Sequence, residues 1–380
     1  MVSLFTDVAS EMLYPVMPIY LKTIHFSVIL IGILEGLAEA TAGLSKGYFG
    51  RWSDDLGKRI PFIRAGYLMS ALSKPMMAFF TYPLYIFGVR TLDRLGKGVR
   101  TGARDAMLSE QATAKTKGTV FGFHRSMDTW GAVCGPLAAL LFLYSHPGHY
   151  RTLFYLAFIP GILAIGFTFL IRERKTPLHQ QVRKKNLFDF LSYWQGSPAL
   201  YRRLVIGLLI FALFNSSDVF LLLKVKEAGY SDMLTIGVYI FYNLVYAIFS
   251  YPLGILADRL GLKNILVFGF IIFIVVYAGM SLTRNLYLFF VLFILYGLYA
   301  ASTEGVAKAW ISNICSQKDT ATAIGMYTAF QSICTLFASS LTGFLWYCFG
   351  SSVALMFAAI AVAIATVYFV SIPKESPITS

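Results

Sequence analysis

Gly50-Arg-Trp-Ser-Asp-Asp-Leu-Gly-Lys-Arg59 decides how the rest of the chain is read. It is a charged, glycine-punctuated island between two long apolar runs, and it returns as Gly254-Ile-Leu-Ala-Asp-Arg-Leu-Gly-Leu-Lys263. Gly50 aligns with Gly254, Asp54 with Asp258 and Gly57 with Gly261, all at an offset of 204 positions. Further on, Gly102-Ala-Arg-Asp-Ala-Met-Leu-Ser109 pairs with Gly305-Val-Ala-Lys-Ala-Trp-Ile-Ser312 at an offset of 203, and Gly122 with Gly325. A repeat of that size in 380 residues makes the chain two copies of one unit, an organisation common among membrane carriers.

Composition names the solvent. The chain is 57% hydrophobic and 13% charged, with a mean hydropathy of +0.66. Soluble domains carry about 25% charged residues, so the deficit points to lipid. The net charge of +13 does not indicate nucleic acid, because the basic residues cluster in short loops between apolar runs. Cys134, Cys315, Cys334 and Cys348 show no CxxC spacing, so neither a disulfide frame nor a metal site is expected. The apolar pattern begins at Met1 without a basic leader, which argues against a cleavable signal; the natural start can also lie upstream.

At about 20 apolar residues per crossing, twelve spans emerge. They cover 1–21, 27–49, 61–80, 82–103, 118–145 and 150–171, then 203–223, 232–256, 263–283, 286–311, 318–348 and 351–372. The expected architecture is an all-α membrane protein: two pseudo-symmetric six-helix bundles, 1–171 and 203–380, joined by a cytoplasmic linker at 172–202. Within the linker, Leu187–Tyr193 reads as an interfacial helix. Loops after even-numbered spans hold Arg51, Lys58, Arg59, Arg64, Arg104, Lys115, Lys117, Arg259 and Lys263, which places both termini in the cytoplasm.

Ionisable groups at membrane depth are costly, on the order of 2.5–3.5 kcal/mol each, and so mark candidate sites. Asp7 and Glu11 share a face of the first span, as do Glu35 and Glu39 on the second. Paired carboxylates suit proton coupling; the alternative is that they pair with neighbouring cations and hold shape. Asp218, in the seventh span, is grouped with them. The fourth span carries Arg90, Arg94 and Lys97 on one stripe, with Asp93 and Arg100 nearby; Lys74, Arg125 and Asp128 are candidates to join it. Such a stripe must avoid lipid, and guanidinium groups facing water suit a carboxylate or phosphate. The competing readings are that the acids already neutralise it, or that Lys97 and Arg100 serve only topology at the cytoplasmic mouth. Tyr242 belongs to a tyrosine stripe that reads as packing or as part of a binding surface, and Glu304 stands four residues before Lys308. His124 has no second ligand at a metal spacing.

These motifs resemble the major facilitator superfamily, whose signature between its second and third helices is Gly-x-Leu-Ala-Asp-Arg-x-Gly-Arg-Lys. Gly254, Leu256, Ala257, Asp258, Arg259, Gly261 and Lys263 follow it, and Gly50, Asp54, Gly57, Lys58 and Arg59 follow it with Trp52 and Asp55 as departures. The resemblance implies that this loop controls switching between inward-open and outward-open forms. Arg94-Leu-Gly-Lys-Gly98 is similar to the family's Arg-x-x-Gln-Gly element. Gly131-Ala-Val-Cys-Gly-Pro136 resembles the Gly-x-x-x-Gly-Pro motif of drug:proton antiporters, although Ala138 and Ala139 replace the glycines that follow it there. Ser3 to Pro15 resembles a bacterial branch of exporters and small-solute carriers.

No nucleotide-binding or hydrolase motif occurs in a fitting context, so neither an enzyme nor a cofactor is expected, and an ion gradient is the expected energy source. The expectation is a monomeric secondary transporter of the bacterial inner membrane, a plasma membrane. It moves a small anionic or zwitterionic organic solute by alternating access, with protons, and export is slightly favoured. An uptake symporter, a multidrug antiporter, a lipid-handling protein and a sensor are the alternatives.

Overall fold

The computed structural model describes residues 1–14, 16, 17, 20, 21, 24, 28–171 and 189–372; of these, the side chains of 28–40, 189, 232, 233 and 236 fall outside the description. Among the described residues there is no strand. The first sequence half forms α1 (Val2–Glu11), α2 (Val28–Leu56), α3 (Ile60–Met76), α4 (Pro83–Glu110), α5 (Lys117–Ser145) and α6 (Tyr150–Thr168). The second forms α7 (Ala199–Ala212), α8 (Val219–Glu227), α9 (Asp232–Leu260), α10 (Leu262–Leu282), α11 (Leu286–Ile314), α12 (Thr320–Phe349) and α13 (Ser351–Ser371).

Seven helices among the described residues are long and apolar enough to cross a membrane, all of them from α5 onward. The reason is visible on α13. Val362, Ala365 and Phe369 are buried, yet the opposite stripe is Ile360, Ile364 and Val367, exposed by 57%, 69% and 71%. A helix apolar on every side needs lipid on the side that protein leaves open. α4 fails the same test because its cations fill one face.

Two spans differ from their sequence outlines. The helix that begins the first span ends at Glu11 and passes into turns over Met12–Tyr14. The seventh span is two helices, α7 and α8, separated by Leu213–Asp218. The Asn215-Ser-Ser-Asp218 run accounts for the break, since such side chains compete for backbone partners. Ser217 N donates to Ser339 Oγ (3.2 Å), and Asp218 stands at the start of α8. The interfacial helix expected at Leu187–Tyr193 is a 3-10 turn, Asp189–Ser192, followed by one helical turn, Tyr193–Gly196; Leu187 and Phe188 lie outside the described residues.

The chain forms two compact units. The first comprises Met1–Met107, Met127–Gln195 and Gln317–Ala329. In it α3 and α1 pack on α6, and α3 meets α4 so closely at Gly66 that a Cβ there would stand 2.5 Å from Gly96 O. The second comprises Leu108–Ser126, Gly196–Ser316 and Phe330–Ser380. Its core stacks Phe211 on Phe270 (4.3 Å) and Phe273 on Tyr277 (3.9 Å) where α7, α10 and α13 meet.

Candidate functional site

The repeated island builds two clamps. α2 ends at Leu56 and α9 at Leu260, and the next residues, Gly57 (φ 59°) and Gly261 (φ 97°), take the left-handed backbone that favours glycine. One turn earlier, Asp54 and Asp258 each face the first turn of another helix. Asp54 Oδ2 accepts hydrogen bonds from Thr322 N and Thr322 Oγ1, both 2.6 Å, at the start of α12. Asp258 Oδ1 accepts from Gly118 N (2.7 Å), and its Oδ2 accepts from Thr119 N and Thr119 Oγ1 (both 2.6 Å), at the start of α5. Thr119 and Thr322 are repeat partners at offset 203, so each copy of the motif grips the fifth helix of the other copy. Carboxylates are favoured there because unsatisfied N–H groups and the helix dipole converge at a helix start.

The glycines one turn back are steric requirements. A Cβ on Gly50 would stand 2.5 Å from Ala321 O, and one on Gly254 would collide with Gly118 O. Arg59 is 1% exposed and donates from Nη1 to Asp54 Oδ1 (2.5 Å) and Ser53 Oγ (3.0 Å). Lys58 and Arg259, also expected in the switch, are exposed. The threonines carried no signal singly; their shared offset was the available clue.

The α4 stripe lines an open cleft in the first unit, together with Asp7, Ser10, Glu11, Tyr14 and Ser70. Arg90, Arg94, Lys97 and Arg100 all reach it. Asp93 lies between two cations: its Oδ1 is 2.9 Å from Lys74 Nζ and its Oδ2 is 3.5 Å from Arg90 Nη1. Arg100 donates to Ser70 Oγ (2.6 Å), and its guanidinium lies 4.6 Å over the Tyr67 ring. Arg100 is thus a wall of the cleft, not only a topology signal. Among these named groups the cations outnumber the carboxylates, and the guanidinium forks can take a carboxylate or phosphate in two-point contact. The side chains of Glu35 and Glu39 lie outside the description.

Gly131 and Gly135 seat α5 on α1: added Cβ atoms would stand 2.7 Å from Asp7 Cβ and from Met12 N respectively. Pro136 sits inside α5 without ending it.

Arg125 leaves the α4 stripe. In the second unit it pairs with Glu304 and donates from Nε to Tyr246 Oη. Tyr242 Oη donates to Asp218 Oδ2 (2.6 Å), and the rings of Tyr239, Tyr242, Tyr296 and Tyr299 follow one another at 5.2–5.6 Å. Tyr246 lies four residues after Tyr242 in α9, one helical turn along the same face. Among the described residues no group of three or more His, Cys, Asp or Glu side chains could hold a metal ion.

A sequence model described as Major Facilitator Superfamily matches residues 1–243 and 237–380. An uncharacterized MFS-type transporter of Methanocaldococcus jannaschii is 31% identical over 350 residues, spanning 90% of this chain and 86% of the relative. An uncharacterized protein of Mycobacterium tuberculosis is 21% identical over 387 residues, spanning 99% and 92%. Among solved structures, the human organic anion transporter MFSD10 aligns with a TM-score of 0.81 at 14% identity, covering 97% of both chains. The MFS transporter FucP, in the outward conformation, aligns at 0.80 with 12% identity, covering 98% of both.

Proposed function

Because the chain belongs to the major facilitator superfamily and is a multi-pass membrane transporter, we propose that it carries a small anionic or zwitterionic organic solute by alternating access, driven by protons. The observation that carries this reading is the α4 cleft, where buried Arg90 and Arg100 share a water-reachable wall with Arg94 and Lys97. Arg94 and Lys97 take the solute's anionic group, with Arg90 and Arg100 held in place behind them. Arg125, Glu304 and Tyr242, all in the second unit, are further solute-binding residues, and Asp218 titrates beside them. Asp7 and Glu11 on α1, and Glu35 and Glu39 on α2, handle the proton.

The two aspartate clamps are the conformational switch: both must release their helix starts for the cytoplasmic side to open. The halves 1–171 and 203–380 move as the rocking bodies, joined by 172–202. Gly131, Gly135 and Pro136 make the α1–α5 contact that this movement keeps. Export is slightly favoured by the resemblance of Gly131–Pro136 to the antiporter element, and an uptake symporter for the same solute is the alternative. The protein works as a monomer in the bacterial inner membrane, with both termini cytoplasmic.

A thermal-shift screen of purified protein against monocarboxylates, dicarboxylates, sugar phosphates, amino acids and cationic drugs tests the solute class. An anion at about 100 times its Kd stabilises the protein by about 2.7 kcal/mol. Arg94→Ala abolishes that shift. Stabilisation by cations alone, or full anion binding by Arg94→Ala, refutes the proposed role of the cleft.

A further inference from the structure

We propose that Asp128 and Asp7 share one proton, and that this proton strengthens anion binding in the α4 cleft. The inference rests on the anion-transport reading above and adds a residue to it. Asp128 is 6% exposed on α5, three residues before Gly131. Gly131 and Gly135 meet successive turns of α1, from Leu4 and Asp7 to Glu11 and Met12, so the two helices run parallel there. Three residues is close to one helical turn, so Asp128 occupies the α1-facing side of α5 at the level of the first turns of α1.

The charges that act on Asp7 are Asp128 from α5, Glu11 from α1 itself, and Lys97 and Arg100 from α4. Asp128 also acts on Arg104, which Asp105 holds at 2.9 Å. α6 and α3 also pack on α1: α6 brings Arg151 and the phenols of Tyr150 and Tyr155, and α3 brings Arg64, Tyr67 and Lys74. Asp7 therefore stands between two like charges, Asp128 across from it and Glu11 on its own helix, and two cations that line the cleft.

Two ionised carboxylates this near repel, and one proton taken from bulk water and added to a carboxylate oxygen ends the repulsion. The same proton withdraws the Asp7 charge from Lys97 and Arg100, which then attract a solute anion more strongly. Proton and anion support each other's binding, and linkage makes the effect reciprocal; this is the coupling of the uptake symporter, the alternative direction, and not that of proton-driven export. Asp128 is a positioning residue in this scheme: it acts on the solute only through Asp7.

The test follows the carbonyl stretch of protonated carboxyl groups by infrared titration of the full-length protein in lipid, together with the pH dependence of succinate and inorganic phosphate binding. Wild type shows a carboxyl band that titrates, and both Asp7→Asn and Asp128→Asn lose it. Asp128→Glu restores it, which separates loss of the proton site from misfolding. Wild-type affinity for the anions rises as pH falls, by up to about tenfold per pH unit for one linked proton, and Asp128→Asn flattens that slope. Arg94→Ala removes anion binding but keeps the band. A band that survives in Asp128→Asn, or no titrating band in wild type, overturns the shared proton. A band of the expected kind with anion binding independent of pH overturns the coupling, and a band with no anion binding at all refutes the underlying solute reading instead.

Discussion

The Asp54 and Asp258 clamps answer the same need with different charge chemistry. Each carboxylate sits one turn before a left-handed glycine and accepts from a threonine N–H and hydroxyl at a helix start. Asp54 also has a buried counter-ion, Arg59, with side-chain exposures of 3% and 1%. Asp258 is half-buried, has no cation partner among the described residues, and takes a second backbone donor, Gly118 N. At the repeat position of Arg59 stands Lys263, which donates instead to Val370 O (2.8 Å) and Ile372 O at the end of α13. Duplication thus preserved the helix-start contact and let the cation diverge. Arg59 can serve a buried acid because its delocalised charge sheds water more easily than an ammonium.

The comparison breaks most sharply at Asp54. Asp54→Asn removes the carboxylate that buried Arg59 pairs with at 2.5 Å, and thermal unfolding of the purified protein should register a loss of about 3–5 kcal/mol. Asp54→Asn combined with Arg59→Met removes both charges together and should regain most of that loss; a double variant no more stable than the single one would show that the ion pair is not the source of the cost. Asp258→Asn gives up charge-assisted bonds but strands no cation, so the same measurement should show about 1–2 kcal/mol. Equal losses at the two aspartates would erase the distinction. Lys263→Met should have the smallest effect, below about 1 kcal/mol, seen chiefly as faster hydrogen exchange in the last turn of α13.

Much of this was legible before any coordinates. Low charge with high hydropathy identified lipid as the solvent, and the 204-residue offset, carried by Gly50, Gly57, Gly254 and Gly261, identified the duplication. The face shared by Arg90, Arg94 and Lys97 followed from helical spacing. Periodicity says which residues share a face, but not which face meets it. Tertiary structure alone decided that Asp54 reaches Thr322, 268 positions away, and that Asp93 is shared between Lys74 and Arg90. It also turned Arg125 from the α4 stripe to Glu304 and broke the seventh span at Leu213–Asp218. Local pattern is a property of neighbours along the chain, whereas partner choice depends on long-range closure and on burial that leaves a charge only one place to be satisfied.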